Sequence, residues 1–244
     1  MKKKELTFET IKKILDNFAE KGILFSNERQ FQLEFASELK KMFDNVYLEL
    51  LDYSENGKNY VDIVVDVGNN KYVAIELKYT TRDMNLLYKT TNREVYTFKQ
   101  GAGDIRRFDY LKDVERLEKL EKRNNSSVFG IVGAKVIKGF AIIMTNDNYH
   151  KLNGKKRKNN QIMDTQYVQV ALQENRKISV NEQPLRITTS GYADKEINLK
   201  YDYTCHWYDY NLDQHKTKIQ LKNKELEIPY STYPFRYMIL EINP

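Results

Sequence analysis

The 244-residue chain has a single cysteine, Cys205, which excludes a disulfide scaffold and any four-cysteine zinc site. Its 4 prolines and 10 glycines are too few for low-complexity linkers or a collagen-like repeat. No run of about 18 apolar residues occurs, so no membrane-spanning helix is expected. No apolar core follows the charged start Met1-Lys2-Lys3-Lys4-Glu5, because Thr7, Glu9, Lys12 and Lys13 interrupt it, so no secretory signal is expected either. There is no internal repeat. These absences together predict a cytoplasmic protein that needs no oxidising compartment.

The composition, 41% hydrophobic, 30% charged and 12% aromatic, excludes a disordered chain or a coiled coil and predicts one or two domains with a substantial core. A net charge of +6 suits a polyanionic partner such as nucleic acid.

Apolar spacing predicts a helix over 5–21, stopped by Gly22, and a second near 27–43, opened by the capping residues Ser26 and Asn27. Strands are expected at 46–51, 61–67 and 72–79, then an irregular connection or lid over 80–96 and a long helix over 97–123. The apolar residues of that helix recur every three positions from Ile105 to Leu120, which calls either for a bend, expected near Lys112-Asp113, or for several partners that cover the helix in turn. The apolar run 139–145 suits a strand buried on both faces, parallel to 72–79 because a helix crosses over between them. Segments 162–172, 184–190, 196–203, 216–228 and 235–243 look strand-like.

Residues 60–79 are the most informative. Alternation puts Val61, Ile63, Val65 and Val67 on one face of a hairpin with Val73, Ile75 and Leu77. The other face carries Asp62, Val64 and Asp66, then Tyr72, Ala74, Glu76 and Lys78. An odd-numbered loop, such as 68–70, sets Asp62 directly across from Glu76. Two carboxylates that close repel unless a cation lies between them, and oxygen ligands select Mg²⁺ over zinc. The Leu77 carbonyl can add a further oxygen. The Lys78 ammonium reaches the same face, where it can position or activate a water or neutralise charge on a phosphoryl group.

Asp62 followed by Glu76-Leu77-Lys78, on a hairpin that leads into a crossover helix, resembles the PD-(D/E)XK nuclease superfamily over about residues 24–145. Val61 stands where the superfamily name has proline. The resemblance implies a mixed α/β core of the restriction-endonuclease type with helices on both faces, over 1–150, and leaves 151–244 as a strand-rich extension packed on the same domain. It implies a deoxyribonuclease, an endonuclease rather than an exonuclease, dependent on Mg²⁺ with Mn²⁺ as a substitute. DNA rather than RNA is the implied partner, no membrane is involved, and a homodimer is compatible. Asp62, Glu76 and the Leu77 carbonyl would bind metal, with Glu28 as the additional helix carboxylate and Glu34 or Glu38 as substitutes. Gln100, on a helical face with Asp104 and Arg107, would orient water or phosphate.

Arg106 and Arg107 are candidate phosphate contacts, or partners for Asp109, Asp113 or Glu115. The basic run Lys151, Lys155, Lys156, Arg157 and Lys158 is a candidate nucleic-acid arm. Asp66 reads as a solvated residue near the turn. Cys205-His206-Trp207 with His215 falls short of a metal site. Two rival readings use the same fold: a nucleic-acid-binding module without catalysis, and a partner-binding subunit.

Overall fold

The computed structural model describes residues 5–54, 57–82, 84–88, 93–97, 103–121, 129–147, 168–187, 195–212, 217–221, 224–226 and 235–242. In chain order the helices are α1 (Phe8–Glu20), α2 (Glu28–Lys40), α3 (Gly103–Glu121) and the single turn α4 (Val168–Ala171). The longer strands are β1 (Val46–Ser54), β2 (Gly57–Gly68), β3 (Lys71–Thr80), β4 (Met84–Tyr88), β5 (Arg93–Thr97) and β6 (Lys135–Thr145). Two-residue strands follow, β7 (Lys177–Ile178), β8 (Leu185–Arg186), β9 (Glu196–Ile197) and β10 (Tyr203–Thr204). The chain closes with β11 (Trp207–Tyr210), β12 (Thr217–Leu221), β13 (Lys224–Leu226) and β14 (Phe235–Ile242).

A mixed six-stranded sheet in the order β1-β2-β3-β6-β14-β11 forms the centre. β3 and β6 are parallel, joined across α3, and every other pairing in this sheet is antiparallel. Residues beyond 150 therefore supply two of the central strands, β11 and β14.

Two apolar layers flank the sheet. One packs Ile63, Val65, Val73, Ile75, Leu77, Phe140 and Ile142 against α1 and α2. The other packs Val64, Ala74, Ala141 and Ile143 against Phe108, Leu111, Val114 and Leu117 of α3. Val61 belongs to this second layer, not to the face of Ile63 and Val65 that strict alternation predicts. The cause is local. Leu48 pairs with Ile63 and Leu50 with Val61, but Glu49 between them has φ +49°, a left-handed backbone that turns the ribbon over.

α3 runs unbroken from Gly103 to Glu121, through the position at Lys112-Asp113 where a bend is expected. Its apolar residues can drift around the axis because it is covered by the sheet and also by the segment 198–203. Asn198 N–H donates to Glu115, and the N–H groups of Lys200 and Tyr201 and the hydroxyl of Tyr203 all donate to Glu118.

Within the expected irregular connection over 80–96, residues 84–88 and 93–96 are strand. β4 and β5 pair with each other and, through β12, with β13 in a second sheet. A partner about 130 residues away in sequence leaves no local pattern to read. Within 162–172 the described residues include the helical turn α4, where a strand was expected. No helix among the described residues is long and apolar enough to cross a membrane.

Candidate metal and phosphate site

The hairpin turn sets the register. Asn69 and Asn70, at φ +57° and +55°, form a two-residue left-handed turn between Gly68 and Lys71. An irregularity between Asp66 and Gly68 adds one residue, so the turn plus the bulge displaces the strands as a three-residue loop would. Asp66 belongs to this turn, where its carboxylate accepts the Gly68 N–H at 2.7 Å. The ladder runs from Asp66 opposite Tyr72 to Ile63 opposite Ile75, the parity that sets Asp62 level with Glu76.

At that point β2 leaves β3. Leu77 and Tyr79 of β3 point their N–H groups toward the vacated edge, and buried N–H groups must find acceptors. The Asp62 carboxylate accepts the Leu77 N–H at 2.7 Å, and the Glu28 carboxylate accepts the Tyr79 N–H at 2.8 Å. A strand residue points its N–H and C=O the same way, so the Leu77 carbonyl faces this edge too.

Glu28 arrives there because the start of α2 is pinned. Asn27 caps the helix by accepting the Gln30 N–H at 2.8 Å. The Tyr79 hydroxyl donates to the Phe25 carbonyl at 2.7 Å, and the rings of Phe25, Phe31 and Tyr79 pack together. One turn on, Gln32 donates to the Asp62 carbonyl at 2.7 Å. Glu34 is exposed and Glu38 pairs with Lys41, so Glu28 is the α2 carboxylate that reaches β3.

α3 closes the site from the other face of the sheet. Lys78 Nζ lies 3.1 Å from Asp113 and 4.0 Å from Glu28. Arg116 lies 2.6 Å from Glu76 and 3.1 Å from Asp113. Arg106, Asp109, Asp113 and Arg116 recur at helical spacing along one side of α3, and this stripe faces the strand residues. Asp113 was read from sequence only as a partner for arginine, and Arg116 was missed. Charged residues at three-four-three spacing, basic at both ends and acidic between, are the signal that marks them. Arg107 lies off this stripe, buried and bonded to Asp104 at 2.7 Å, so it is no free phosphate contact. Gln100, Lys151, Lys155, Lys156, Arg157, Lys158 and His215 lie outside the described residues.

A concave cleft of about 440 Å³ opens beside Asp62. It is lined by Asn27, Glu28, Arg29 and Gln32 of α2, Glu49 of β1, Asp62 of β2 and Arg106 of α3. By the β1 register Glu49 stands opposite Asp62. Sequence carries no sign of Glu49, since glutamate is not a residue type that favours a left-handed backbone. Among the described residues neither Arg29 nor Arg106 forms an ion pair.

Burial dominates the electrostatics. It raises the Glu76 carboxyl well above its ordinary value; Asp113 adds to this and Arg116 opposes it. Burial also raises Asp62, against the Leu77 N–H, and raises Glu28, against the Lys78 charge. For Lys78 burial acts to lower the pKa, but Asp113 and then Glu28 outweigh it, and the net shift is upward. Lys78 is therefore held as a cation among these carboxylates.

Two buried oxygens, Glu76 Oε1 and Asp113 Oδ2, lack an aligned hydrogen bond although each touches a cation. Buried polar atoms of this kind call for a further partner, and a hard divalent cation fits an all-oxygen set of Asp62, Glu76 and the Leu77 carbonyl. Among the described residues no three carboxylate, histidine or cysteine groups already converge as a cage. Cys205 lies elsewhere, its thiol bonded to the Ala171 carbonyl and pushed up to about 12 by burial. Comparison with family models, with curated proteins and with solved structures finds no match in any of the three.

Proposed function

We propose that the protein is a metal-dependent deoxyribonuclease with a restriction-endonuclease-like core, acting as an endonuclease on DNA. One observation carries the reading. Where β2 leaves β3, two carboxylates from separate elements, Asp62 and Glu28, take the freed N–H groups of Leu77 and Tyr79. They thereby gather beside Glu76 and Lys78 at the edge of a cleft. A solvated hairpin face would need no such convergence.

Asp62, Glu76 and the Leu77 carbonyl would hold Mg²⁺, or Mn²⁺ in its place, with Glu28 supporting the set. When bound, the ion supplies neutralisation of phosphoryl charge and a lowered pKa for water. Lys78 holds its charge on the attacking side, and Asp113 fixes its position. Arg29 and Arg106 hold backbone phosphates at the cleft.

Purified protein incubated with Mg²⁺ and plasmid DNA is expected to nick or linearise it. Asp62→Asn and Lys78→Met are each expected to lower the rate by about 10²-fold or more. Cleavage left unchanged by both substitutions would refute the assignment. The absence, among the described residues, of a converged three-group cage favours a second reading, a nucleic-acid-binding module without catalysis. Salt-sensitive DNA binding with no metal-dependent cutting would select it.

A further inference from the structure

We infer that Arg116 is a built-in counter-ion that holds Glu76 out of the metal site and passes to Asp113 when a divalent cation binds. The inference rests on the metal-site reading above and deepens it, because it names the residue that sets how tightly the ion is held.

Glu76 is 2% exposed, so its carboxylate must have a cation nearby whenever it is ionised. Arg116 supplies one at 2.6 Å. The contact runs through one guanidinium nitrogen and leaves the Nε of Arg116 without an aligned hydrogen bond, so it is not a bidentate fork. The acceptor for the transfer is already in reach, because the same guanidinium nitrogen that touches Glu76 lies 3.1 Å from Asp113. A short displacement breaks one contact and keeps the other.

Acidic groups crowd the basic ones here: Glu28, Asp62, Glu76 and Asp113 all act on Lys78 or Arg116. While Arg116 holds Glu76, that carboxylate is turned toward α3. Without an ion, Arg116 prevents an unpaired buried charge. On ion uptake, it moves to Asp113, which also fixes Lys78.

The test is isothermal titration of Mn²⁺ into the full chain, with no DNA present, for the wild type, Arg116→Gln and Glu76→Gln. Removing a competing positive charge beside a divalent ion should tighten binding by about tenfold or more in Arg116→Gln, whereas mere loss of structural support would weaken it. Glu76→Gln should abolish uptake and so locate the ion. Uptake that Glu76→Gln abolishes but Arg116→Gln leaves equal or weaker overturns the role of Arg116 and spares the metal site. No uptake by the wild type or by Arg116→Gln overturns both. If Arg116→Gln does not fold, the Mn²⁺-bound wild-type structure decides. Separation of Arg116 from Glu76 beyond the ~4 Å limit of an ion pair supports the transfer, and an unchanged contact overturns it.

Discussion

The carboxylate of Asp62 accepts the N–H of Leu77 at 2.7 Å, in the position where a β2 carbonyl would have bonded had the ladder continued. A side chain thus replaces a strand, and an aspartate buried against the sheet is the result. Burial raises the Asp62 pKa above its ordinary value of 3.8, so the folded state holds the proton more tightly than the unfolded state does. The stability contributed by such a group is complete below the unfolded pKa and is lost as pH rises through the folded one.

Asp62→Asn keeps an acceptor for Leu77 and removes the charge. It is expected to raise Tm near neutral pH by roughly 2–4 °C while abolishing cleavage. The gain should vanish toward acid, near the unfolded value, and grow as pH rises. Differential scanning calorimetry of both proteins across that range checks it. A Tm lowered by the substitution at neutral pH would contradict the account.

Glu49 carries backbone strain at the cleft, with φ +49° in the middle of a paired strand. Glu49→Gly relieves a left-handed penalty of roughly 1 kcal/mol, and should raise the urea midpoint. Glu49→Ala keeps the strain and removes the carboxylate, and should not raise it. Equal midpoints for the two variants would show that the strain is not what glycine relieves.

Arg29 and Arg106 line the cleft from opposite elements. If each meets one phosphate, replacing either by alanine should weaken DNA binding uniformly across sequences and reduce the slope of log affinity against log salt by about one. Fluorescence anisotropy at several salt concentrations measures it. Unaltered slopes would remove both residues from the DNA path.

Glu118 is wholly buried and accepts from Lys200, Tyr201 and Tyr203. Glu118→Ala strands those donors and should cost about 3 kcal/mol, with amide protection lost first over 198–203. Hydrogen exchange resolves whether the loss begins there. Uniform loss across the chain would deny Glu118 its anchoring role.

The parts of this molecule that were legible in the sequence are those encoded locally. Asn27 at a helix start, Asn69-Asn70 in a tight turn and the apolar alternation from Ile63 to Val67 each announce their own geometry. The pairing of Ile63 with Ile75 followed from parity alone, and the ladder ends one step before Asp62 and Glu76. Val61 was misread because Glu49, on the neighbouring strand, inverts the ribbon, and nothing beside Val61 reports it. The strand β4 was hidden for the same reason, since β12 pairs with it from far along the chain. Asp113 was legible only as an arginine partner and Arg116 not at all, because α3 carries charges on more than one side and only the packing against β3 shows which side meets Glu76 and Lys78.

The most direct measurement of the central claim is anomalous diffraction from crystals of the wild-type protein soaked in Mn²⁺. The account predicts a peak at roughly 2.0–2.4 Å from carboxylate oxygens of Asp62 and Glu76 and from the Leu77 carbonyl. A saturated soak with no peak there, or with a peak only elsewhere, would contradict it.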